Sequence, residues 1–198
     1  MASDKLFYWV FQQAPERILQ LQADLPADAD YRFSAPVLKE REYRLDGLFL
    51  PRQQRADQPA VILEAQMAAD AGFLRRLYAE SARLLQQDPG IQHWRVLVIC
   101  PHRALGFGDP TAVAEFVQER VHWLELEPAL QDPAAPPLLR TLALLVQSEA
   151  LVAETVAGIR EAVAGSADAA ATLDVMAAIV ISRFSGRHLQ EICAMGGI

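Results

Sequence analysis

The sequence predicts a mixed α/β fold: a central sheet flanked by helices, followed by an α-helical C-terminal extension. Three features carry this expectation. Extended, β-prone stretches recur at YRFSAPVLKE, REYRLDGLFLP and AVILEAQM, rich in the branched and aromatic residues that suit strands. GFLRRLYAESARLLQQ then repeats apolar residues at helical spacing, and the apolar run HWRVLVIC follows it as a buried strand. Beyond the Pro- and Ala-rich EPALQDPAAPP, the composition turns to Ala- and Leu-rich helices. Two regions follow from that change, a sheet domain over 1–130 and a helical extension over 131–198.

Each element has its own signal. DKLFYWVFQQAPERILQLQ predicts two short helices, with Pro15 starting the second. Leu6, Phe7, Val10, Phe11, Ile18, Leu19 and Leu21 are their core positions. Glu16 is within reach of a metal site in principle, although a first-turn glutamate favoured by the helix dipole is the simpler account. ADLPADAD is a loop, and the next two stretches predict an antiparallel pair of strands. In the second, strict alternation puts Glu42, Arg44, Asp46 and Leu48 on one face and Tyr43, Leu45, Gly47 and Phe49 on the other. Gly47, next to Asp46, marks a bulge or a close backbone approach.

In AVILEAQM the same period of two places Ile62, Glu64 and Gln66 together, away from Val61, Leu63 and Ala65. On the following helix, Phe73, Leu74, Leu77, Tyr78, Ser81, Leu84 and Leu85 form the packed side. Arg75, Arg76 and Arg83 form a basic stripe opposite. That stripe suits phosphate contact and equally suits a solvated face with a Glu80–Arg83 pair. Arg52 and Arg55 in the preceding turn suit a solvated loop. A strand–helix–strand run implies a right-handed crossover. TAVAEFVQER predicts a short helix, VHWLELE an edge strand, and SGRHLQEICAMGGI a last helix capped by Ser185 with His188 exposed.

Composition narrows the class. Apolar residues make up 52% of the 198, which fits a folded chain with a core. No apolar run approaches a membrane span, and the N-terminus lacks the basic region and cleavage site of a signal peptide. Cys100 and Cys193 form no disulfide framework, and Cys100 with His102 is too little for a metal site. A cytoplasmic protein with free thiols is expected. The net charge is −7, but residues 1–100 hold 12 basic against 13 acidic side chains while 101–198 hold 6 against 12. The acidity therefore lies mostly in the C-terminal half and leaves nucleic acid open as a partner.

A carboxylate in an apolar strand costs several kcal/mol if buried without a partner. Asp46 and Glu64, on adjacent strands, therefore point to a shared divalent cation. Asp on one strand and Glu-x-Gln on the next resembles the active site of the PD-(D/E)XK nucleases, as does the order helix, RxDG strand, ExQ strand, arginine-bearing helix, buried strand. DKLFYWVFQQAPERILQL, YRFSAPVLKEREYRLDGLFLP, VILEAQM with FLRRLYAESARLLQQ, WRVLVICP and SRFSGRHLQEICAMGGI resemble more narrowly the Rpn-like recombination-promoting nuclease and transposase family, in a branch of unknown function.

The resemblance implies a restriction-endonuclease-like fold, with Asp46, Glu64 and Gln66 as the catalytic set. It makes Asp46 and Glu64 the ligands of Mg²⁺ (or Mn²⁺), with the Ala65 carbonyl a further oxygen. Gln66 stands where the superfamily carries Lys, and Gln at this place resembles what Rpn-type sequences carry. Gln can orient water but cannot act as a cation, so transition-state charge would rest on the metal and on arginines, Arg44 and Arg75 first. Arg44, Arg75 and Arg76 are the expected DNA contacts. The implied activity is metal-dependent DNA cleavage tied to recombination or mobile elements. Two alternatives stand beside it. One is an inactive nuclease fold serving as a binding or assembly module, with the helical tail supporting a homodimer. The other is a buried hydrogen-bonded Asp46–Glu64 pair with Arg44.

Overall fold

The computed structural model describes residues 2–22, 24–38, 43–53, 57–184 and 190. Glu42, Arg55, Ser185, His188 and Cys193 lie outside them. The chain divides into two compact units, residues 3–124 and 125–198.

The first unit is a mixed α/β structure. Helix α1 (Ala2–Gln13) is followed by a 3-10 turn at Pro15–Arg17 and by α2 (Ile18–Leu21). Strands β1 (Tyr31–Ser34), β2 (Val37–Leu38), β3 (Tyr43–Arg44), β4 (Gly47–Pro51) and β5 (Ala60–Ala65) come next. Then follow α3 (Phe73–Gln87), β6 (Trp94–Cys100), α4 (Ala114–Arg120) and β7 (Val121–Glu125). Five strands make one sheet in the order β1-β4-β5-β6-β7, and β2 pairs with β3 apart from it. β4 runs antiparallel to β1 and β5, whereas β5 and β6 are parallel. A parallel pair needs a crossover, and α3 supplies it.

Alternation along the strands sorts the two faces. Phe33 and Phe49, cross-strand partners, meet Phe11 of α1 at ring-centroid distances of 6.2 and 5.1 Å. Such pairs contribute about 0.5–1.5 kcal/mol each beyond their buried area. The other face carries Leu48, Ile62, Val96, Val98 and Cys100 against Phe73, Leu74, Leu77 and Leu84 of α3, with Phe107, Val113 and Phe116 completing the cluster. Cys100 is a buried core thiol.

Three details differ from the sequence expectation. The strand expected over REYRLDGLFLP is broken at Leu45–Asp46 into β3 and β4, and Leu45 and Leu48 pack in the same cluster. A break of two non-strand residues resets the side-chain parity that continuous alternation assumes. Tyr78, placed on the packed side, is 49% exposed, with its ring edge-on to Phe116 at a centroid distance of 5.2 Å. Finally, a helix (α5, Leu126–Gln131) runs from the end of VHWLELE into EPALQDPAAPP. Pro128 falls within its first turn, where a missing N–H costs no helix hydrogen bond.

The second unit is helical: α5, α6 (Pro137–Ala143), α7 (Val152–Val163) and α8 (Ala169–Arg183). Leu138, Leu142, Val156, Ile159, Val175, Met176 and Ile179 fill its interior. The Arg183 guanidinium donates to the Leu144 carbonyl and Gln147 Nε2 to Thr155 Oγ1 at 2.7 Å. No described helix is long and apolar enough to cross a membrane.

Gly47 is the close approach foreseen beside Asp46. A Cβ there would sit 2.6 Å from Phe33 Cε2 and 3.3 Å from Cζ. Gly47→Ala is therefore expected to cost about 1–3 kcal/mol of stability, measured by urea unfolding. A loss under about 0.5 kcal/mol, the scale of a neutral surface change, would mean that the ring yields freely.

Candidate functional site

The backbone ladder between β4 and β5 ends at the Gly47–Leu63 pair, and side chains take over from there. The Ala65 N–H donates to Asp46 Oδ2 at 2.8 Å, and the Asp46 N–H donates to the Glu64 carboxylate. This reciprocal arrangement brings Asp46 and Glu64 together at the C-terminal end of β5, on the face covered by α3. Glu64 as a whole residue is half-buried. Its Oε1, however, is shut off from solvent and has no hydrogen-bond partner among the described residues.

A third carboxylate joins them from α3. Glu80 is 5% exposed, and its charge acts on Glu64. One of the two sequence readings put it on a solvated face with Arg83; it is buried instead and lies 3.7 Å from Arg76 Nε, while Arg83 donates to Gln86 at 2.8 Å. The signal was available in the spacing. Glu80 falls three residues after Leu77 and four before Leu84, within the apolar stripe of the helix.

Arg76 is the cation of this region. Its Nη2 donates to Gln66 Oε1 at 3.3 Å, and its Nη1 donates to Asp70 Oδ2. Gln66 follows β5 and extends the ladder, donating its N–H to the Ile99 carbonyl at 2.9 Å. Its Nε2 donates to the Ala68 carbonyl at 2.6 Å. The structure thus brings Asp46, Glu64, Gln66 and Arg76 into one neighbourhood, with Glu80 and Asp70 added. Arg44 is exposed on β3, and Arg75 is exposed on α3, where its charge acts on Asp109. Glu16 is exposed in its 3-10 turn, and Arg52 pairs with Asp30 at 2.9 Å on the surface.

The electrostatics follow from this count of charges. Burial pushes the Glu64 carboxyl well above the usual carboxylate range, and the negative charges of Asp46 and Glu80 push it further; the Asp46 N–H and Arg76 oppose them. Glu80 is raised to about 7, chiefly by burial, with Arg76 working against the rise and Asp46 adding to it. Asp70, by contrast, is held below its ordinary value, first by the Arg76 hydrogen bond. Four carboxylates, Asp46, Glu64, Glu80 and Asp70, around one guanidinium leave the site short of positive charge.

Hard oxygen donors around an orphaned carboxylate oxygen fit Mg²⁺ or Mn²⁺. Among the described residues no group of three or more His, Cys, Asp or Glu converges to hold a metal ion. An ion at Asp46 and Glu64 would have only these two carboxylates and would need carbonyl and water oxygens to complete its shell, a pattern usual for Mg²⁺. Cys100 and His102 stand outside any such group.

Two clefts lie elsewhere, at the opposite end of the sheet. One of 490 Å³ is lined by Arg32, Gln58, Asp88 and His93 among others. The other, of 420 Å³, is lined by Asp24, Arg95, Arg120 and His122 and shares His93. Neither includes Asp46, Glu64 or Arg76, and their size alone assigns them no chemistry.

These features define a mixed α/β protein with a half-buried acidic pair at the strand ends of its central sheet. The chain belongs to a protein family of unknown function, DUF2887, whose model matches residues 3–195. Among curated proteins and solved structures, nothing matches.

Glu80 gives the site a pH signature. Its folded value of about 7 exceeds the ordinary 4.5, so the folded state binds this proton more tightly than the unfolded chain. The stability it contributes is fully present below pH 4.5 and lost as pH rises through about 7. Relative to wild type, Glu80→Gln should therefore gain on the order of 2–3 kcal/mol across that window. Urea unfolding at both ends of the window checks it; a constant difference would place Glu80 in contact with water.

Proposed function

We propose that this chain is a metal-dependent DNA endonuclease of the restriction-endonuclease-like, PD-(D/E)XK class, related to the Rpn-like nucleases of recombination and mobile elements and working in the cytoplasm. The observation that carries the reading is the solvent-excluded, unpartnered Glu64 Oε1 beside Asp46. The element order helix, antiparallel strands, Glu-bearing strand, crossover helix, parallel strand supports it.

Asp46 and Glu64 would hold Mg²⁺ or Mn²⁺, which when bound supplies Lewis-acid polarisation of a phosphodiester and acidifies a water. The rest falls to the chain. The Ala65 N–H favours the ionised form of Asp46 and fixes its direction. Gln66, bridging Ala68 and Arg76, acts as a spacer that keeps the end of β5 in register with α3. Arg76 supplies the positive charge that a Lys at position 66 would otherwise bring, and the exposed Arg75 and Arg44 would contact a DNA backbone.

A second reading, a nuclease fold that binds or assembles without cleaving, has its own support. Gln66 replaces the motif's Lys and has both ends of its amide occupied. In the helical unit, Leu151 and Ile181 are 48% and 64% exposed, apolar surface of the kind a homodimer buries.

Nicking of supercoiled plasmid with Mg²⁺ or Mn²⁺ separates the two. The endonuclease reading expects metal-dependent nicking, abolished by EDTA, by Asp46→Ala and by Glu64→Ala. Both variants should stay folded or gain stability, since each relieves carboxylate repulsion. Nicking that survives both substitutions would refute the site, and none with any metal would favour the binding module.

A further inference from the structure

The connection from β5 to α3 holds an anion that neutralising Arg76 does not require. Glu80 already gives Arg76 a buried carboxylate 3.7 Å from Nε, its side chain 7% exposed. Asp70 is a second one on the open side, with side-chain exposures of 32% for Asp70 and 40% for Arg76. The inner carboxylate seats the guanidinium, and the outer, partly exposed one occupies its Nη1 donor.

The Asp70 backbone is firmly fixed. Its N–H donates to the Gly106 carbonyl at 3.0 Å, and its carbonyl accepts from the Phe73 N–H at 3.0 Å. The neighbouring Gly108, at φ 97°, lies so close that a Cβ would stand 2.1 Å from the Ala71 oxygen. Only the Asp70 side chain need turn for Nη1 to be released. A guanidinium fork accepts a phosphate in the geometry in which it accepts a carboxylate.

We propose that Asp70 stands in for a substrate phosphate: it holds Arg76 oriented beside Gln66 and Glu64, and a DNA phosphodiester displaces it to take the Nη1 donor. The proposal rests on the endonuclease reading for its ligand, DNA, but not on turnover. Asp70 would then lower the protein's affinity for polyanions in general and keep Arg76 from collapsing onto the carboxylate pair when no substrate is present.

The test is a double-mutant cycle on DNA binding, read by fluorescence anisotropy of a labelled duplex in Ca²⁺, an ion that takes the same oxygen ligands. Asp70→Asn keeps an oxygen to accept the Gly72 N–H, now bonded at 2.8 Å, so the start of α3 is preserved. Asp70→Ser serves the same purpose should the Asn variant unfold. Asp70→Asn is expected to tighten binding roughly three- to tenfold, and Arg76→Ala to weaken it roughly tenfold, the scale of one charge-assisted hydrogen bond.

In the Arg76→Ala background, Asp70→Asn should change nothing. An equal gain in both backgrounds would reduce the effect to bulk charge and overturn the proposal, as would no gain, or no loss with Arg76→Ala. Plasmid nicking in Mg²⁺ keeps the two ideas apart. A cycle that behaves as expected without nicking upholds the role of Asp70 and removes the enzyme, whereas no DNA binding by wild type overturns both.

Discussion

The exchange of hydrogen bonds between Asp46 and the Glu64–Ala65 segment closes the gap where the β4–β5 ladder stops, and much of the site depends on it. Without it Asp46 would sit on a two-residue break between strands, its carboxylate no longer tied to β5. With it, two carboxylates are held side by side at the end of a strand whose other edge is parallel to β6. Crevices outside the carboxyl ends of parallel strands are where open α/β sheets place their ligands. The same closure creates the electrostatic demand, because it draws Glu64 out of water beside a like charge.

That demand is only partly met from within the described chain. Arg76 is shared among Gln66, Asp70 and Glu80, so little of its charge is left for Glu64. Burying a carboxylate without a counter-charge is resolved either by a proton or by a cation. The upward displacement of both Glu64 and Glu80 is the proton's answer, and a divalent ion would be the other. A site that exchanges protons for a metal binds that metal more tightly as pH rises.

Much of this was legible in the sequence. Period-two alternation paired Ile62 with Glu64 correctly, since β5 is an unbroken strand, and the apolar run from Val96 to Cys100 marked a strand buried on both faces. Gly47 announced a close approach that Phe33 makes. What alternation could not carry was the parity across Leu45–Asp46, because a side-chain period holds only while the backbone stays extended. Glu80 was missed for a different reason. A glutamate among helix arginines satisfies the i,i+4 pairing rule whether the pair faces water or the core, and only its place between Leu77 and Leu84 tells the two apart. Asp70 carried no periodic signal, because its role depends on a turn pinned by Gly106 and Gly108, nearly forty residues further along the chain.

The most direct test is thermal unfolding of wild type and Glu64→Gln with and without Mg²⁺ or Mn²⁺. An ion bound only by the folded state raises its stability by mass action. If Asp46 and Glu64 share a cation, the wild-type Tm climbs with metal concentration, while Glu64→Gln starts higher and does not respond. A wild-type Tm indifferent to both ions, or an equal rise in the variant, would contradict a metal at this pair.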